Sequence, residues 1–331
     1  MMMTSRFSLG VTVLLSASVL NFGGVALAEG WSPGDEVTLR AAAGRPVHSV
    51  YAVHVGHKSI VERELPGLRL DLQASQGGSD NAALLFSGEV EMASGNAAGG
   101  YALHHGQFAF EDYEPFPDMV TLFPAYSLQQ GVIVMADSPV QTFRDCVGRR
   151  LGLTPAGSGA EVTAMNQIEA LGLTESDFRS VSRMADAQGF AGLVSGSLDC
   201  FFWGTAHPGA ALMEQKAVHD LRLVPVEEDD LKAVAEMFPY LPADYVRANM
   251  YDDQPNDVPW AGGMTNFWVN ANTNEELVYH YVKAVWENRD ELLQTHASQQ
   301  YLNEDLVRMA GSIVPYHAGA ERYFREIGIL E

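Results

Sequence analysis

What most constrains this chain is an alternation of short apolar strands and helical stretches, punctuated by Gly- and Ser-rich loops, that runs once and then begins again mid-chain. Val37 to Ala42 reads as a strand ending in the loop Gly44-Arg45-Pro46, and a helical pattern follows from Tyr51 to Leu65, stopped by Pro66-Gly67. Leu68 to Ala74 is the next strand, the loop Gln76 to Asn81 opens a helix through Phe86, and Val90 to Ala93 is a third strand. The pattern restarts with the strand Gly131 to Met135, a short helix to Cys146 and the strand Arg150 to Thr154. The loop Pro155 to Gly159 then runs into a helix from Ala160 to about Leu171. Further strands fall at Val181, Leu198 to Trp203 and Leu221 to Val226; near Phe267 the chain returns, and Glu275 to His296 reads as one long amphipathic helix. The expectation is an α/β fold with a mainly parallel sheet, whose ligands sit where strand C-termini meet helix N-termini. Two crossings, near Pro124 to Gln130 and Pro259 to Met264, would join two lobes by a hinge over a central cleft.

Composition narrows the partners. With 331 residues, 47% of them hydrophobic, there is chain enough for one large or two medium domains. The 42 acidic residues against 20 basic ones give a formal charge of -22, which repels phosphate backbones and anionic lipid and excludes a nucleic-acid partner. The basic set holds only four lysines, Lys58, Lys216, Lys232 and Lys283, which fits a salty medium and equally a device for solubility.

Residues 1–28 read as a cleaved signal peptide: Arg6 is a positive n-region, Phe7 to Leu20 an apolar run, and Ala26-Leu27-Ala28 a small-x-small cleavage pattern. The run is broken at Asn21 and Gly23-Gly24, too short to span a bilayer, so the mature chain is expected to begin near Glu29, exported and without stable membrane insertion. In an oxidising compartment Cys146 and Cys200 could pair, but sequence carries no distance, and the expectation is two buried free thiols. No His or Cys pairs recur at ligand spacing, so neither a metal nor a cofactor is expected.

Thr154-Pro155-Ala156-Gly157-Ser158-Gly159-Ala160-Glu161, at a strand-to-helix junction, is the strongest local signal. Its glycines expose backbone N–H groups, Ser158 adds a hydroxyl, and the helix start adds partial positive charge, which suits a carboxylate or phosphate. The same residues also make a capping box of Ser158 and Glu161, which requires no ligand. The loop before Asn81 has the same logic, with Ser79 and Asn81 as donors or Ser79 or Asp80 as a plain cap, and Ser94-Gly95-Asn96 brings a further amide or is an ordinary turn. Arg45 after the first strand could clamp a carboxylate, and His48 reads as a solvated loop residue. Trp203 is a wall for a ligand or part of a core strand. No spacing selects a catalytic constellation: Ser158-Gly159 lacks the glycine two residues before the serine of a nucleophile elbow. The chain is read as no enzyme, with a periplasmic hydrolase as the alternative.

Gly78-Ser79-x-Asn81, Gly88 to Ala93 before Asn96, Gly157 to Glu161, Gly196 to Phe202 and Pro315 to Glu326 together make the mature chain resemble the TAXI-type substrate-binding receptors of TRAP transporters. The resemblance implies the two-lobe periplasmic binding protein fold (type II-like). Lobe 1 would comprise residues 29–128, lobe 2 residues 129–262, and residues 263–331 would return across the hinge to pack on lobe 1. It also implies a periplasmic location, a small carboxylate ligand (an amino acid, keto acid or dicarboxylate) and TRAP transporter membrane subunits as partners; a ligand-sensing receptor would use the same fold. Residue reading and resemblance together make the candidate ligand-binding set Arg45, Ser49, Tyr51, Ser79, Asn81, Asn96, Gly157, Ser158, Gly159, Ala160 and Trp203. The first loop departs from the family, which usually has Gly and Thr before Tyr-Tyr-Pro, whereas this chain has Gly44-Arg45-Pro46-Val47-His48-Ser49-Val50-Tyr51-Ala52. Arg45 in place of small residues implies a ligand with an extra anionic group.

Overall fold

A computed structural model describes residues 30–44, 46, 49–75, 78–106, 114–156 and 158–331. Strands β1 (Val37–Gly44), β2 (Leu68–Ala74) and β3 (Met92–Asn96) are parallel, with β1 in the middle, and are linked by helices α1 (Ser49–Glu64) and α2 (Gly78–Phe86). Ala41, Ala42 and Ala43 are fully buried, because β1 is covered on both faces, and small side chains there let the helices approach. Helix α3 (Ala97–His105) leaves β3 directly.

The next strand, β4 (Met119–Met135), is 17 residues long and pairs antiparallel with β10 (Val258–Asn270), from Met119 opposite Asn270 to Gln130 opposite Ala261. Between them in sequence lies the second run of units. It comprises β5 (Arg150–Leu153), α4 (Gly159–Ala170), β6 (Ser180–Arg183), α5 (Asp186–Val194), β7 (Cys200–Thr205), α6 (Ala210–Lys216), β8 (Leu221–Val224), α7 (Glu228–Met237) and β9 (Ala243–Val246). Strand order across the sheet is β2-β1-β3-β10-β4-β7-β5-β6, with β8 beside β4 and β9 beside β10. The outer strands are parallel as expected, but β10 runs antiparallel to β3 and β4 antiparallel to β7, so the centre of the sheet is not. Strands β4 and β10 therefore form a two-stranded ribbon. One end of it is flanked by β3, through Met92 to Asn96, and the other by β7, β8 and β9. The segments read as crossings lie on this ribbon, facing each other.

Three departures from the sequence reading have local causes. The third strand starts at Met92 rather than Val90, because the Glu91 carboxylate is taken up by Arg40, accepting from its guanidinium and from its backbone N–H at 2.7 Å. The long C-terminal helix stops early: α8 (Glu275–Glu287) ends where Asn288 turns out of helical geometry and donates its side-chain amide to Ala284 O. Two 3-10 turns follow, Arg289–Gln294 and Ala297–Tyr301, before α9 (Glu304–Ile313) and α10 (Ala318–Glu326). Finally, Cys146 and Cys200 are not free thiols but a disulfide, with Cα atoms 6.2 Å apart. Parallel pairing of β5 with β7, Leu151 opposite Cys200, brings the 3-10 turn Phe143–Cys146 over the strand, a tertiary proximity that spacing does not encode. His317 is structural: Nδ1 accepts from the Gly319 N–H and caps α10, while Nε2 meets Thr273 O.

Closing 54 residues of chain, the disulfide restricts the unfolded state by about 4 kcal/mol in the chain-entropy account. A Cys146→Ala/Cys200→Ala double variant is expected to melt roughly 5 °C lower by calorimetry, and reducing agent is expected to lower wild type but not the variant. A second outcome concerns acid. His54, His57 and His207 are all buried, and burial disfavours their charged forms, holding His57 near about 3 and His207 near about 4. Between those values and the ordinary value near 6.5 the unfolded chain binds protons that the folded chain does not, so stability rises with pH in that window and falls as pH drops. At pH 4.5 the loss is on the order of 2–3 kcal/mol for each of His57 and His207. The paired carboxylates release their stability lower; Asp199, held at about 2 by Arg150, is an example. The urea midpoint is expected to fall from pH 7 to 4.5, and less steeply in a His207→Asn variant.

Candidate functional site

Helix α3 begins where β3 ends. Asn96 sits in extended geometry and its side chain accepts from the Gly99 N–H at 2.8 Å, so the first N–H groups of α3 point out from the end of the sheet. Helix α4 begins in the same way after β5: Ser158 accepts from the Glu161 N–H at 3.2 Å and shares a hydroxyl hydrogen bond with Thr154. Glu161 turns its carboxylate to Arg183 Nε at 2.9 Å, which keeps that charge with the strand β6.

These two helix starts meet at one cavity of about 90 Å³, the share of roughly three water molecules. From the β3 side it is lined by Asn96, Ala97 and Ala98; from the α4 side by Ala160 and Thr163. The ribbon contributes Leu128, Gln130, Gly263 and Met264, with Gly204 at the end of β7 and Tyr240 and Leu241 after α7 closing the rest. Gln130 is the centre of this arrangement. Its Nε2 donates to Thr163 Oγ1 at 3.0 Å, tying the ribbon to α4. It fits because its neighbours on both strands are glycines: a Cβ on Gly204 would lie 2.3 Å from Gln130 Cγ, and one on Gly263 would lie 3.2 Å from Nε2. Tyr240 accepts from Asn166 Nδ2 at 3.0 Å, its hydroxyl is pushed well above the ordinary tyrosine value by burial, and its ring packs 5.2 Å from that of Tyr101 on α3.

None of the described lining residues is charged, although the chain as a whole is strongly acidic. Two helix N-termini and uncharged donors favour an anion, and among the described lining residues there is no carboxylate to oppose one. The opposite side of the ribbon holds a second cavity of about 90 Å³, where Gln129 Nε2 donates to Asp244 Oδ2 at 2.6 Å and Asp305 is also in the lining. Arg247 lines it as well, so this cavity is of mixed charge, unlike the first. Among the described residues no group of three or more His, Cys, Asp or Glu is placed to hold a metal, and no helix is long and apolar enough to cross a membrane.

Of the residues singled out in sequence, Asn96 and Ala160 line the cavity and Ser158 caps the helix that does. Asn81 lies inside the fold: its Nδ2 donates to Ser94 O at 2.6 Å and its Oδ1 accepts from Ser75, which anchors α2 to β3 next to Asn96. Trp203 is buried core, donating from Nε1 to Asp186 at 3.0 Å and packed edge-on against Phe190 and His207; its neighbour Gly204 is the residue at the cavity. Ser49 and Tyr51, half-buried in the first turn of α1, are not among the lining residues. Arg45, His48, Gly157 and the signal segment 1–28 lie outside the described residues, as do the side chains of Ser79 and Gly159. Sequence reasoning missed Gln130, Thr163 and Tyr240. The signal for the first was there, a polar Gln129-Gln130 pair inside an otherwise apolar strand.

A profile of the NMT1-like family matches residues 41–328, which takes in both helix starts and the whole ribbon. The chain belongs to the NMT1-like family. Its architecture recurs in solved structures of solute-binding proteins. A TctC solute-binding protein from Polaromonas aligns with a TM-score of 0.56 at 14% identity, over 85% of this chain and 98% of that one. The probable amino-acid ABC transporter extracellular-binding protein ytmK from Bacillus subtilis aligns at 0.51 and 13%, over 82% and 100%. The periplasmic aliphatic sulphonate binding protein SsuA from Escherichia coli aligns at 0.50 and 14%, over 86% and 80%. At these identities the likeness is one of fold: this NMT1-like chain has the mixed α/β fold, with a curled sheet, of those proteins.

The glycines beside Gln130 make a direct test. Gly204→Val is expected to cost about 1–3 kcal/mol by overpacking, read from urea unfolding. Adding Gln130→Ala to the same chain is expected to recover much of that loss, where additive costs would mean that the two residues do not share the space.

Proposed function

We propose that this chain is an extracytoplasmic solute-binding receptor that captures a small organic anion in the cavity between α3 and α4 and delivers it to a membrane transporter. The observation that carries this reading is the convergence of two capped helix starts, from opposite ends of the β4–β10 ribbon, on one uncharged cavity. In this reading residues 29–128 with 263–331 form one lobe and residues 129–262 the other. The ribbon is the hinge, and closure brings Asn96 to Ala98 against Ala160 and Thr163 around the solute. The three proteins of like fold, all solute-binding proteins, support binding rather than turnover. So does Ser158, whose hydroxyl accepts from the Glu161 N–H as a helix cap and has Thr154 as its other partner, an arrangement for a cap rather than a nucleophile.

The finer assignment follows the resemblance to the TAXI-type receptors. The solute is then an amino acid, keto acid or dicarboxylate, the partner a TRAP-type permease, and the site of action the periplasm after removal of residues 1–28. Arg45, which follows Gly44 in sequence, would add a guanidinium for a second anionic group. Thermal-shift assays on the refolded chain from Glu29, against amino acids, keto acids, dicarboxylates and sulfonates, test this. A ligand at about 100 times its dissociation constant adds roughly 2.7 kcal/mol, a rise of several degrees. A rise from one carboxylate class supports the receptor reading and names the solute. A rise from sulfonates alone replaces the carboxylate, and silence across the panel from folded protein overturns the reading.

A further inference from the structure

Among the described residues that line the cavity between α3 and α4, four side chains carry an oxygen able to accept a hydrogen bond, and three of those oxygens are already engaged. Asn96 Oδ1 accepts from the Gly99 N–H at 2.8 Å, Thr163 Oγ1 from Gln130 at 3.0 Å and the Tyr240 hydroxyl from Asn166 at 3.0 Å. The fourth, Gln130 Oε1, meets no donor among the described residues, and it is not one of the atoms sealed inside the protein. The bond from Nε2 to Thr163 holds the amide in place. Nε2 lies on the Gly263 side, 3.2 Å from where a Cβ would stand there, and Oε1 on the Gly204 side, 2.9 Å from the corresponding point. Both glycines line the cavity, so Oε1 stands at its wall beside bare backbone, on a residue only 6% exposed. A space of about 90 Å³ leaves a solute held at the helix starts no room to stand clear of it.

We infer that Gln130 is the specificity-determining residue of the solute site: its Oε1 accepts from a hydroxyl or amino group that the solute carries beside its carboxylate. The inference rests on the receptor reading above and narrows its solute class. The helix starts only donate, so they satisfy any carboxylate and rank none above another. Oε1 only accepts. An amino or hydroxy acid supplies the donor it lacks. A keto acid sets a second acceptor against it and leaves an oxygen that has given up water without a partner. Sites built to hydrogen-bond a substrate O–H or N–H reject the analogue that lacks it far more strongly than a missing methylene is rejected.

The test uses two sets of probes, each differing at one position: alanine, lactate and pyruvate, and glutamate, 2-hydroxyglutarate and 2-oxoglutarate. Both sets are titrated calorimetrically into wild type, Gln130→Met and Gln130→Glu, and each protein is melted without ligand. In the set that binds, wild type is expected to hold the amino or hydroxy acid at least about tenfold tighter than the keto acid. Gln130→Met keeps the length of the side chain and removes the amide oxygen; it is expected to lose that preference while melting no more than about 5 °C lower, the share of the Thr163 bond. Gln130→Glu keeps an acceptor and adds a charge, and is expected to favour the amino acid over the hydroxy acid by a larger ratio than wild type does, because the ammonium pairs with it. A preference unchanged in Gln130→Met overturns the inference and leaves the receptor reading standing, and so does a wild type that binds the three alike or the keto acid best. Should Gln130→Met not fold, Gln130→Glu decides: a raised ratio of amino to hydroxy acid upholds the inference and an unchanged one overturns it. Wild type that binds neither set overturns the inference together with the carboxylate receptor reading on which it rests.

Discussion

The structure depends on the antiparallel ribbon of β4 and β10. Strands β1 to β3 on one side and β5 to β7 on the other are each a parallel set built from strand–helix units, and parallel strands buried by helices on both faces have no reason of their own to join. The ribbon joins them because each of its strands is long enough to serve both: β10 pairs β9 at its start and β3 at its end, and β4 pairs β10 first and then β7 and β8. Register irregularities at Thr265/Asn266 and Phe267/Trp268 fall on the β3 side of the ribbon, where one strand must adapt to the twist of a neighbouring set. The cavity at the ribbon is a consequence of this geometry, because the strand ends of both sets, and the helix starts that follow them, face the line where the sets meet.

Electrostatics divides the molecule in a complementary way. Arginines are spent on fixing elements to one another: Arg40 and Arg150 hold strands through Glu91 and Asp199, and Arg144 holds the 3-10 turn Phe143–Cys146 to α7 through Asp230, each carboxylate being half-buried or more. Arg183 holds Glu161 away from the α4 start. What remains at the surface is the acidic excess, and what remains at the cavity is neutral. An anion approaching such a chain gains nothing from long-range steering, so its binding has to come from short-range donors, backbone N–H groups and side-chain amides, which act only after water is displaced. That favours a small, precisely shaped solute over a broadly recognised charge.

How much of this was legible in the sequence follows from the range of each interaction. Asn96 and Ala160 could be found because a residue just after a strand and at the head of a helix is a local pattern, and local patterns also gave the α/β class and the strands of the two parallel sets, but not β9, β10 or the first two thirds of β4, which were read as crossings or not at all. The end of α8 at Asn288 was missed because a single competing side chain, bonded back to Ala284 O, decides it against a favourable apolar period. Trp203 and Asn81 were read toward a ligand for want of their partners, Asp186 and Ser94, which sit on other elements. The disulfide and Gln130 are tertiary facts. Cys146 meets Cys200 only once β5 lies beside β7, and Gln130 reaches Thr163 only once two glycines from different strands, Gly204 and Gly263, stand on either side of it.

Gln130 also connects the cavity to the motion that the receptor reading requires. It belongs to the ribbon, yet its side chain is bonded to α4 on the β5–β7 side, while Gly263 and Met264 beside it belong to the strand that pairs with β3. A change in ribbon twist rotates the two strand sets against each other, and the side chain that feels both is this one. Glycine at 204 and 263 leaves room for its amide to stay bonded through such a rotation; a side chain at either position would hold the ribbon at one twist. On this argument the glycines that make room for the Gln130 amide also give it room to move, while Tyr240, Leu241 and Leu128 supply the bulk around it.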